Sequence, residues 1–321
     1  MDYPILDLNY TVSNSGEAVK GLVYVSEVSF KPRRNEPDKV YVNGTFRNKG
    51  KTFAFRCFDD AIVKCFKENN LVNCVMYING NVDEFKGYVS IIVKGLSVIN
   101  DVDASVFMDS HNIDDIFNSF NEYLQKTFSV EELGVINKIF CEPTDGFQRF
   151  KVEFAGKMWH DACRGGLMYH TLKMIKLCDF MFANDYRMTA LKSKIPNLEK
   201  LVKLGIVLHD LGKVIEMQDG VYTEKSIISH RVRAVEYLAR NKEAVVGLYG
   251  DDGYDWLLSE VAQHHGVFEG DKPTTIYAYL VHIIDIFDAQ ATHVMEGVLS
   301  DNNADGDGRH YVYADEMKLY Y

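Results

Sequence analysis

Proline is scarce, with 6 in 321 residues, and no Ser/Gly-rich or repetitive tract interrupts the chain. A collagen-like or largely disordered polymer is thereby excluded. No stretch of uncharged apolar residues reaches the roughly 18 that a spanning helix needs, so no membrane partner is expected. The opening MDYPILDLNY has neither a basic n-region nor an apolar h-region, which argues against a secretory signal. Six cysteines (Cys57, Cys65, Cys74, Cys141, Cys163, Cys178) form no CxxC pair. They read as free thiols of a reducing compartment, and the cytoplasm is the expected location. Positive charge is short as well: 35 Lys and Arg face 46 Asp and Glu, a net of −11, which taken alone disfavours a polyanionic partner. What is present is a globular composition, 47% hydrophobic and 25% charged, long enough for one large domain or two ordinary ones.

The charge is unevenly spread. Residues 1–100 hold 13 Lys/Arg against 11 Asp/Glu, and residues 101–321 hold 22 against 35. Within 31–56 lie Lys31, Arg33, Arg34, Lys39, Arg47, Lys49, Lys51 and Arg56, interleaved with Phe30, Tyr41, Phe46, Phe53 and Phe55. Cations seek phosphates and rings stack on bases, so this segment suits a single-stranded nucleic acid. A solvated hairpin with its aromatics facing a core explains the same pattern.

Residues 19–99 read as strands: VKGLVYVSEVSF, DKVYVNGTF, KTFAFRCF, VNCVMYING and YVSIIVKGLSVI, rich in Val, Ile, Tyr and Phe and broken by turn residues. Asn48-Lys49-Gly50 is a hairpin turn between the second and third. Five short strands with one helical piece, Asp59–Glu68, suit a small all-β barrel of the OB type, with a short sandwich as the alternative. After Asn100 the period changes. Ile113, Ile116, Phe117, Phe120, Leu124 and Phe128 recur at helical spacing. Ser129-Val-Glu-Glu132 has the form of a capping box opening a helix to Cys141. Glu142–Lys157 reads as a loop. Helices are expected over Gly166–Ala183, Asn197–His209, Ser226–Asn241, Tyr254–His265 and Thr274–Glu296, followed by a loop over Gly297–Arg309 and a short tail. The division is thus 1–105, a nucleic-acid-binding barrel, and 106–321, an all-α helical domain.

Eight of ten histidines fall between residues 160 and 293. His209 and Asp210 end an apolar helix and precede Leu-Gly-Lys213. Gly212 is expected to stop that helix and to let the backbone approach whatever the pair holds. His170, His230, His264, His265 and Asp285 lie on separate helices among apolar neighbours. Burying a carboxylate without a partner costs on the order of several kcal/mol, and metal coordination removes that cost. Mixed imidazole and carboxylate ligands suit Mn, Fe, Zn, Co or Ni, and Ca less well. Seven candidate ligands accommodate two metals bridged by one carboxylate, an arrangement suited to phosphoryl chemistry. A lone buried histidine is usually a satisfied core residue, and an HD pair alone arises by chance; the ordered set H…HDxGK…H…HH…D is harder to reach that way.

Connected text carries a resemblance. Trp159-His-Asp-Ala-Cys-Arg-Gly-Gly-Leu-Met-Tyr-His170-Thr is similar to the HH-x-x-x-x-G-L-x-x-H segment of the YhaM-like 3′-to-5′ exoribonucleases, which are HD-domain metal-dependent phosphohydrolases. Gly205-Ile-Val-Leu-His-Asp-Leu-Gly-Lys-Val-Ile-Glu216 resembles their HD-x-GK-x-x-E motif, and Tyr222-Thr-Glu-Lys-Ser-Ile-Ile-Ser-His230 their Y-T-x-E-G-x-L-x-G-H. Gln263-His-His-Gly266 resembles S-H-H-G, and His282-Ile-Ile-Asp285-Ile-Phe-Asp-Ala289 resembles H-x-I-D-x-L-D-A. That family also carries an N-terminal OB domain. The departures are Trp159 for the first histidine, Ser226 and Ser229 for two glycines, and the segment after Gly266; they bear on substrate choice more than on activity.

The resemblance implies a first metal at His170, His209, Asp210 and Asp285, with Asp210 bridging to a second held by His230, His264 and His265. His282 and Asp288 would orient ligands. Lys213 would steady a phosphate oxygen, and His160 would contact the phosphate or the leaving oxygen; Asp210, Lys213 and His160 are thus the catalytic set. Arg164 would touch phosphate. The barrel would hold RNA through Lys31, Arg33, Arg34, Arg47, Lys49, Lys51 and Arg56. The expected activity is 3′-to-5′ release of nucleoside 5′-monophosphates from single-stranded RNA, with two divalent cations, manganese ahead of Fe, Co, Ni, Zn or Mg. Single-stranded DNA is a further substrate to consider, and a homo-oligomer is open. Two alternatives stand beside this: an HD-class nucleotidase or cyclic (oligo)nucleotide phosphodiesterase, and a nucleic-acid-binding protein with a dead HD core.

Overall fold

A computed structural model describes residues 3–49, 51–69, 71–108, 110–157, 160–266, 272–300, 307–314 and 317–321. The chain divides into two units, Met1–Asp109 and Ser110–Tyr321.

In the first unit, alternating apolar residues build five strands: β1 (Ala18–Pro32), β2 (Val40–Asn48), β3 (Lys51–Cys57), β4 (Cys74–Phe85) and β5 (Tyr88–Ile99). Helix α1 (Asp60–Glu68) joins β3 to β4, and the Asp59 side chain accepts the Ile62 N–H at its N-terminus. The strands close into a barrel in the order β1-β2-β3-β5-β4. Every seam is antiparallel except β3–β5, which is parallel. This is the five-stranded Greek-key barrel of the OB type, and closure excludes the sandwich alternative. Register shifts at Val25/Glu27 and Asn79/Gly80 supply the bends that closure needs. The interior is filled by Val25, Val42, Phe46, Phe55, Met76, Ile78 and Ile91. Phe46 and Phe55, counted above among possible base-stacking rings, are stacked on each other inside at 4.2 Å. At the β2–β3 turn, Asn48 faces Lys51 and Lys49 has φ 50; Gly50 lies outside the described residues.

The second unit is helical, with ten helices among the described residues. They are α2 (Ile113–Thr127), α3 (Val130–Phe140), α4 (Gly146–Val152), α5 (Gly166–Asn184), α6 (Tyr186–Lys194), α7 (Leu198–Leu208), α8 (Lys213–Glu216), α9 (His230–Arg240), α10 (Lys242–Gln263) and α11 (Ile276–Ser300). Two short hairpins accompany them, β6–β7 (Met217–Gln218, Val221–Tyr222) and β8–β9 (Tyr311–Ala314, Met317–Tyr320). No described helix is long and apolar enough to cross a membrane. The capping box that opens α3 is present, with Glu132 Oε2 accepting the Ser129 N–H at 2.7 Å. Helix α7 is the axis of the unit, since Leu201 through Leu208 are all buried. A helix buried on every side over two turns belongs in a core, the charge of its one buried lysine, Lys203, being met by Asp179 and Glu199, and its C-terminal end delivers His209 and Asp210 to the interior.

Several expectations need correcting. The loop assigned to 142–157 contains α4, because Phe147 and Phe150 pack edge-on against Phe140 at 5.5 and 5.0 Å. The polar helix α6 had no apolar stripe to announce it. Helix α10 starts twelve residues before Tyr254, and α11 runs on through Gly297 to Ser300. The tail forms the β8–β9 hairpin on α11; residues 301–306 of the expected loop lie outside the described residues. Gly212 has an ordinary helical φ of −64 and is no left-handed stop. It is needed because the His230 carbonyl packs against it: a Cβ there would lie 2.0 Å from that oxygen.

Candidate metal centre

The C-terminal ends of α7 and α10, the first residue of α9, and the inward faces of α5 and α11 converge on one place. His170 on α5 and His209 after α7 are fully buried, as is His264 after α10. Asp210 is the common neighbour. Its Oδ2 lies 3.3 Å from His209 Nε2 and 4.0 Å from His170 Nε2. Its Oδ1 lies 3.3 Å from His230 Nε2 and 3.7 Å from His264 Nε2. Asp285 Oδ1 on α11 closes the first side, 3.2 Å from His170 Nε2. His265 Nε2 closes the second, 3.3 Å from His230 Nε2. Two groups of ligand atoms result, His170/His209/Asp285 and Asp210/His230/His264/His265, each within 4.8 Å of one another.

The other nitrogen of four of these rings, those of His170, His209, His230 and His264, is held. His209 Nδ1 donates to the Ile206 carbonyl at 2.7 Å, and His264 Nδ1 donates to that of Val261 at 2.9 Å. His170 Nδ1 lies 2.7 Å from Asp288 Oδ2, and His230 Nδ1 lies 2.8 Å from Glu216 Oε2. A proton fixed at Nδ1 leaves a lone pair at Nε2, the metal-binding tautomer. Asp288 is therefore an orienting group, as is Glu216, whose role went unassigned although its motif was noted. His282 supports from outside, Nδ1 to the His264 carbonyl at 2.5 Å.

The electrostatics favour cations. Burial opposes the charge of Asp210, yet Lys213 and His209 hold its carboxyl well below the ordinary range. Burial likewise opposes Asp285, and His170 drives its carboxyl down in turn. Burial pulls His264 down to about 3 and also lowers His265. Burial works against the His170 imidazolium too, but Asp285 and Asp288 raise it to about 9, so a cation at Nε2 would take the place of the proton that His170 shares with Asp285. Nε2 of His170, His209 and His264, and Asp210 Oδ1, are buried without a hydrogen-bond partner. Each such atom costs about 1–3 kcal/mol, and convergent nitrogen and carboxylate lone pairs are the donor set of a divalent cation. The residues fit such a group.

Other anticipated residues fare differently. Lys213 is buried; its Nζ lies 2.7 Å from Asp210 Oδ2 and donates to the Ala155 carbonyl at 2.6 Å, which leaves one of its three N–H donors over. His160 sits beside the cluster, its ring 4.8 Å from that of His170, with neither nitrogen partnered. Burial, then His170, lowers it to about 3. Arg164 stands just before α5, its carbonyl accepting the His111 N–H. In the barrel, the Arg33 guanidinium is tied to the Phe58 and Val40 carbonyls and to Asp60. Arg56 is clamped by Ser90 Oγ and Asp83. Both hold the barrel together. Lys31, Arg34, Lys49 and Lys51 are exposed and Arg47 is half-buried. Tyr41 stacks on the exposed Phe58 at 4.9 Å. Ser226 lies in the turn Glu224–Ile227 and Ser229 is the N-cap of α9; Trp159 and residues 267–271 lie outside the described residues.

Residues 167–290 match the HD domain family. The 3′-5′ exoribonuclease YhaM of Listeria innocua is 25% identical over 286 residues, covering 81% of this chain and 85% of that protein. Its namesake from Listeria welshimeri is 25% identical over 73% and 75% of the two chains. A solved mitochondrial single-stranded DNA-binding protein of S. cerevisiae matches 28% of this chain and 99% of its own at 9% identity and a TM-score of 0.25, too slight a likeness to carry weight. The buried histidine–aspartate centre lies inside the matched segment: residues 167–290 are an HD domain, and with the YhaM likeness they support a metal-dependent phosphohydrolase.

Proposed function

We propose that the chain shortens single-stranded RNA from its 3′ end, releasing nucleoside 5′-monophosphates, and that the cluster holds two divalent cations, manganese first among the candidates. The observation that carries the two-cation reading is the split of Asp210: Oδ2 turns to His209 and His170, Oδ1 to His230 and His264. The substrate reading is supported by the likeness to the YhaM exoribonucleases, which covers more of the chain than Ser110–Tyr321 alone can supply and so includes part of the barrel.

Cations bound there supply water activation and charge neutralisation for in-line displacement at phosphorus. The chain's own residues do the rest. Asp288, Glu216 and two backbone carbonyls aim the four Nε2 atoms. Lys213 holds the bridging carboxylate ionised. His160 is neutral at physiological pH, so it offers a substrate oxygen a hydrogen bond rather than a proton. Exposed Lys31, Arg34, Lys49 and Lys51 give the barrel its phosphate contacts.

The test is incubation with 5′-labelled single-stranded RNA and Mn²⁺, beside the Asp210→Ala variant. A ladder of shortening products, abolished in the variant, is expected. Intact RNA together with turnover of mononucleotides or cyclic nucleotides would replace this reading by that of a small-nucleotide enzyme. Neither activity, with no metal taken up, would leave a binding protein.

A further inference from the structure

One turn beyond His170, on the same face of α5, Lys173 joins two buried acids. Its Nζ lies 2.8 Å from Asp161 Oδ2 and 3.0 Å from Asp288 Oδ2, and it donates to Thr292 Oγ1 at 2.6 Å. Asp288 Oδ2 is the same atom that lies 2.7 Å from His170 Nδ1. One carboxylate oxygen is therefore shared between an ammonium and a ligand imidazole. Asp161 is 1% exposed and sits in the left-handed region at φ 45, uncommon outside glycine. Its carbonyl accepts the Ala155 N–H at 3.3 Å, and its Oδ1 lies 3.7 Å from His111 Nε2. His160, Asp161 and His170 also bring ligand atoms within 4.8 Å of one another. The ammonium of Lys173, however, already takes Asp161 Oδ2, so this grouping is an extension of the first cluster rather than a third cation site.

A row results: buried Asp161, half-buried Lys173, buried Asp288, and then Nδ1 of His170, the nitrogen opposite the one that faces the site. Ion pairs of this kind are weak sources of stability, because desolvation offsets their attraction. Their value lies in fixing geometry. Asp288 can hold the His170 ring only if Asp288 is itself held, and the groups that hold it are on this row.

We infer that Lys173, anchored by Asp161 and Thr292, is a positioning residue for the cation held by His170, His209 and Asp285, and that the cation at His230, His264 and His265 does not depend on it. Without the ammonium, Asp288 loses a partner on the very oxygen that locks His170, and Nε2 is no longer fixed toward the site. The inference rests on the two-cation reading but not on RNA as substrate.

The experiment is calorimetric titration of metal-stripped full-length protein with Mn²⁺. Wild type should show two binding steps. In Lys173→Met, one step should weaken by about 10- to 100-fold, the range for loss of an orienting partner, while the other stays in place. Asp161→Asn, which removes the outer anchor, should weaken the same step by less. Lys173→Arg keeps a charged fork between the two acids and should recover most of the loss. Should Lys173→Met not fold, Asp161→Asn and Lys173→Arg decide alone. Two unaltered steps in a folded Lys173→Met or Asp161→Asn overturn the inference, as does equal weakening of both. A wild type that takes up no Mn²⁺ or only one equivalent overturns the two-cation reading beneath it, whereas failure to cut RNA with both steps intact touches only the substrate reading.

Discussion

A carboxylic acid is rarely buried without a partner, yet Glu260, in the last turn of α10, is 0% exposed and neither oxygen has a hydrogen bond. Burial alone lifts its pKa well above the ordinary 4.5, so the folded chain keeps it protonated through a range in which the unfolded chain ionises it. The folded state then binds one proton more, and its stability falls as pH rises from the unfolded pKa toward the folded one, by about 1.4 kcal/mol per pH unit. Glu260→Gln preserves the shape and cannot ionise. Its stability should therefore gain on wild type as pH rises above the unfolded carboxyl range, measured by urea unfolding at one acidic and one neutral pH. An equal gap at the two pH values would mean that Glu260 is ionised in the folded chain. Nothing in the sequence separated this acid from a solvated one, and the same holds for Asp161 and Lys173. A charged residue near a helix end reads as exposed unless it interrupts an apolar stripe. His170, His209, Asp210 and Asp285 do interrupt such stripes, which is why they were legible and the groups supporting them were not.

Elements follow the same rule. The barrel strands declare themselves because each is long, alternating and set off by turn residues, and the helices that line the core do so through their apolar period. The first half of α10, before Tyr254, did not, because Gly247, Gly250 and Gly253 with Asp251 and Asp252 interrupt any apolar period there. The break is real but narrow. Gly250 alone leaves helical geometry, at φ 73 and ψ 175, and helical turns resume directly after it to carry Glu260, His264 and His265 inward. That backbone region is open to glycine and costs other residues about 1–3 kcal/mol. Gly250→Ala should lower stability by about that amount, read as a fall in the denaturation midpoint. A Cβ there meets nothing within 4 Å, so the loss is conformational rather than steric. An unchanged midpoint would show that α10 tolerates an unbroken helix here. Short elements such as α4 and α6 stay hidden for a different reason. Four to nine residues cannot display a period, and only tertiary contacts such as the Phe140–Phe150 pair reveal why they form.

On the scale of the whole molecule, acidity and the proposed handling of a polyanion are reconciled by where the charge lies. The deficit belongs to residues 101–321, which include the carboxylates of the metal centre, while residues 1–100 carry a small positive excess. Of the basic residues first assigned to nucleic acid, Arg33 and Arg56 are bound to barrel carbonyls and acids, so the proposed phosphate contacts fall to the exposed Lys31, Arg34, Lys49 and Lys51. Each cation that neutralises a phosphate of a single strand contributes about 0.7 to the slope of log affinity against log salt. Replacing all four by glutamine should therefore reduce that slope by roughly 3, nearly uniformly across sequences. Fluorescence anisotropy with single-stranded RNA, on an Asp210→Asn background so that the strand survives, measures it at several salt concentrations. Two Mn²⁺ binding steps should persist in the same quadruple substitution made with Asp210 intact, since none of the four residues contributes to the centre. A slope that does not move would place the phosphate contacts elsewhere and remove the barrel from substrate binding, leaving the HD domain to hold its strand alone.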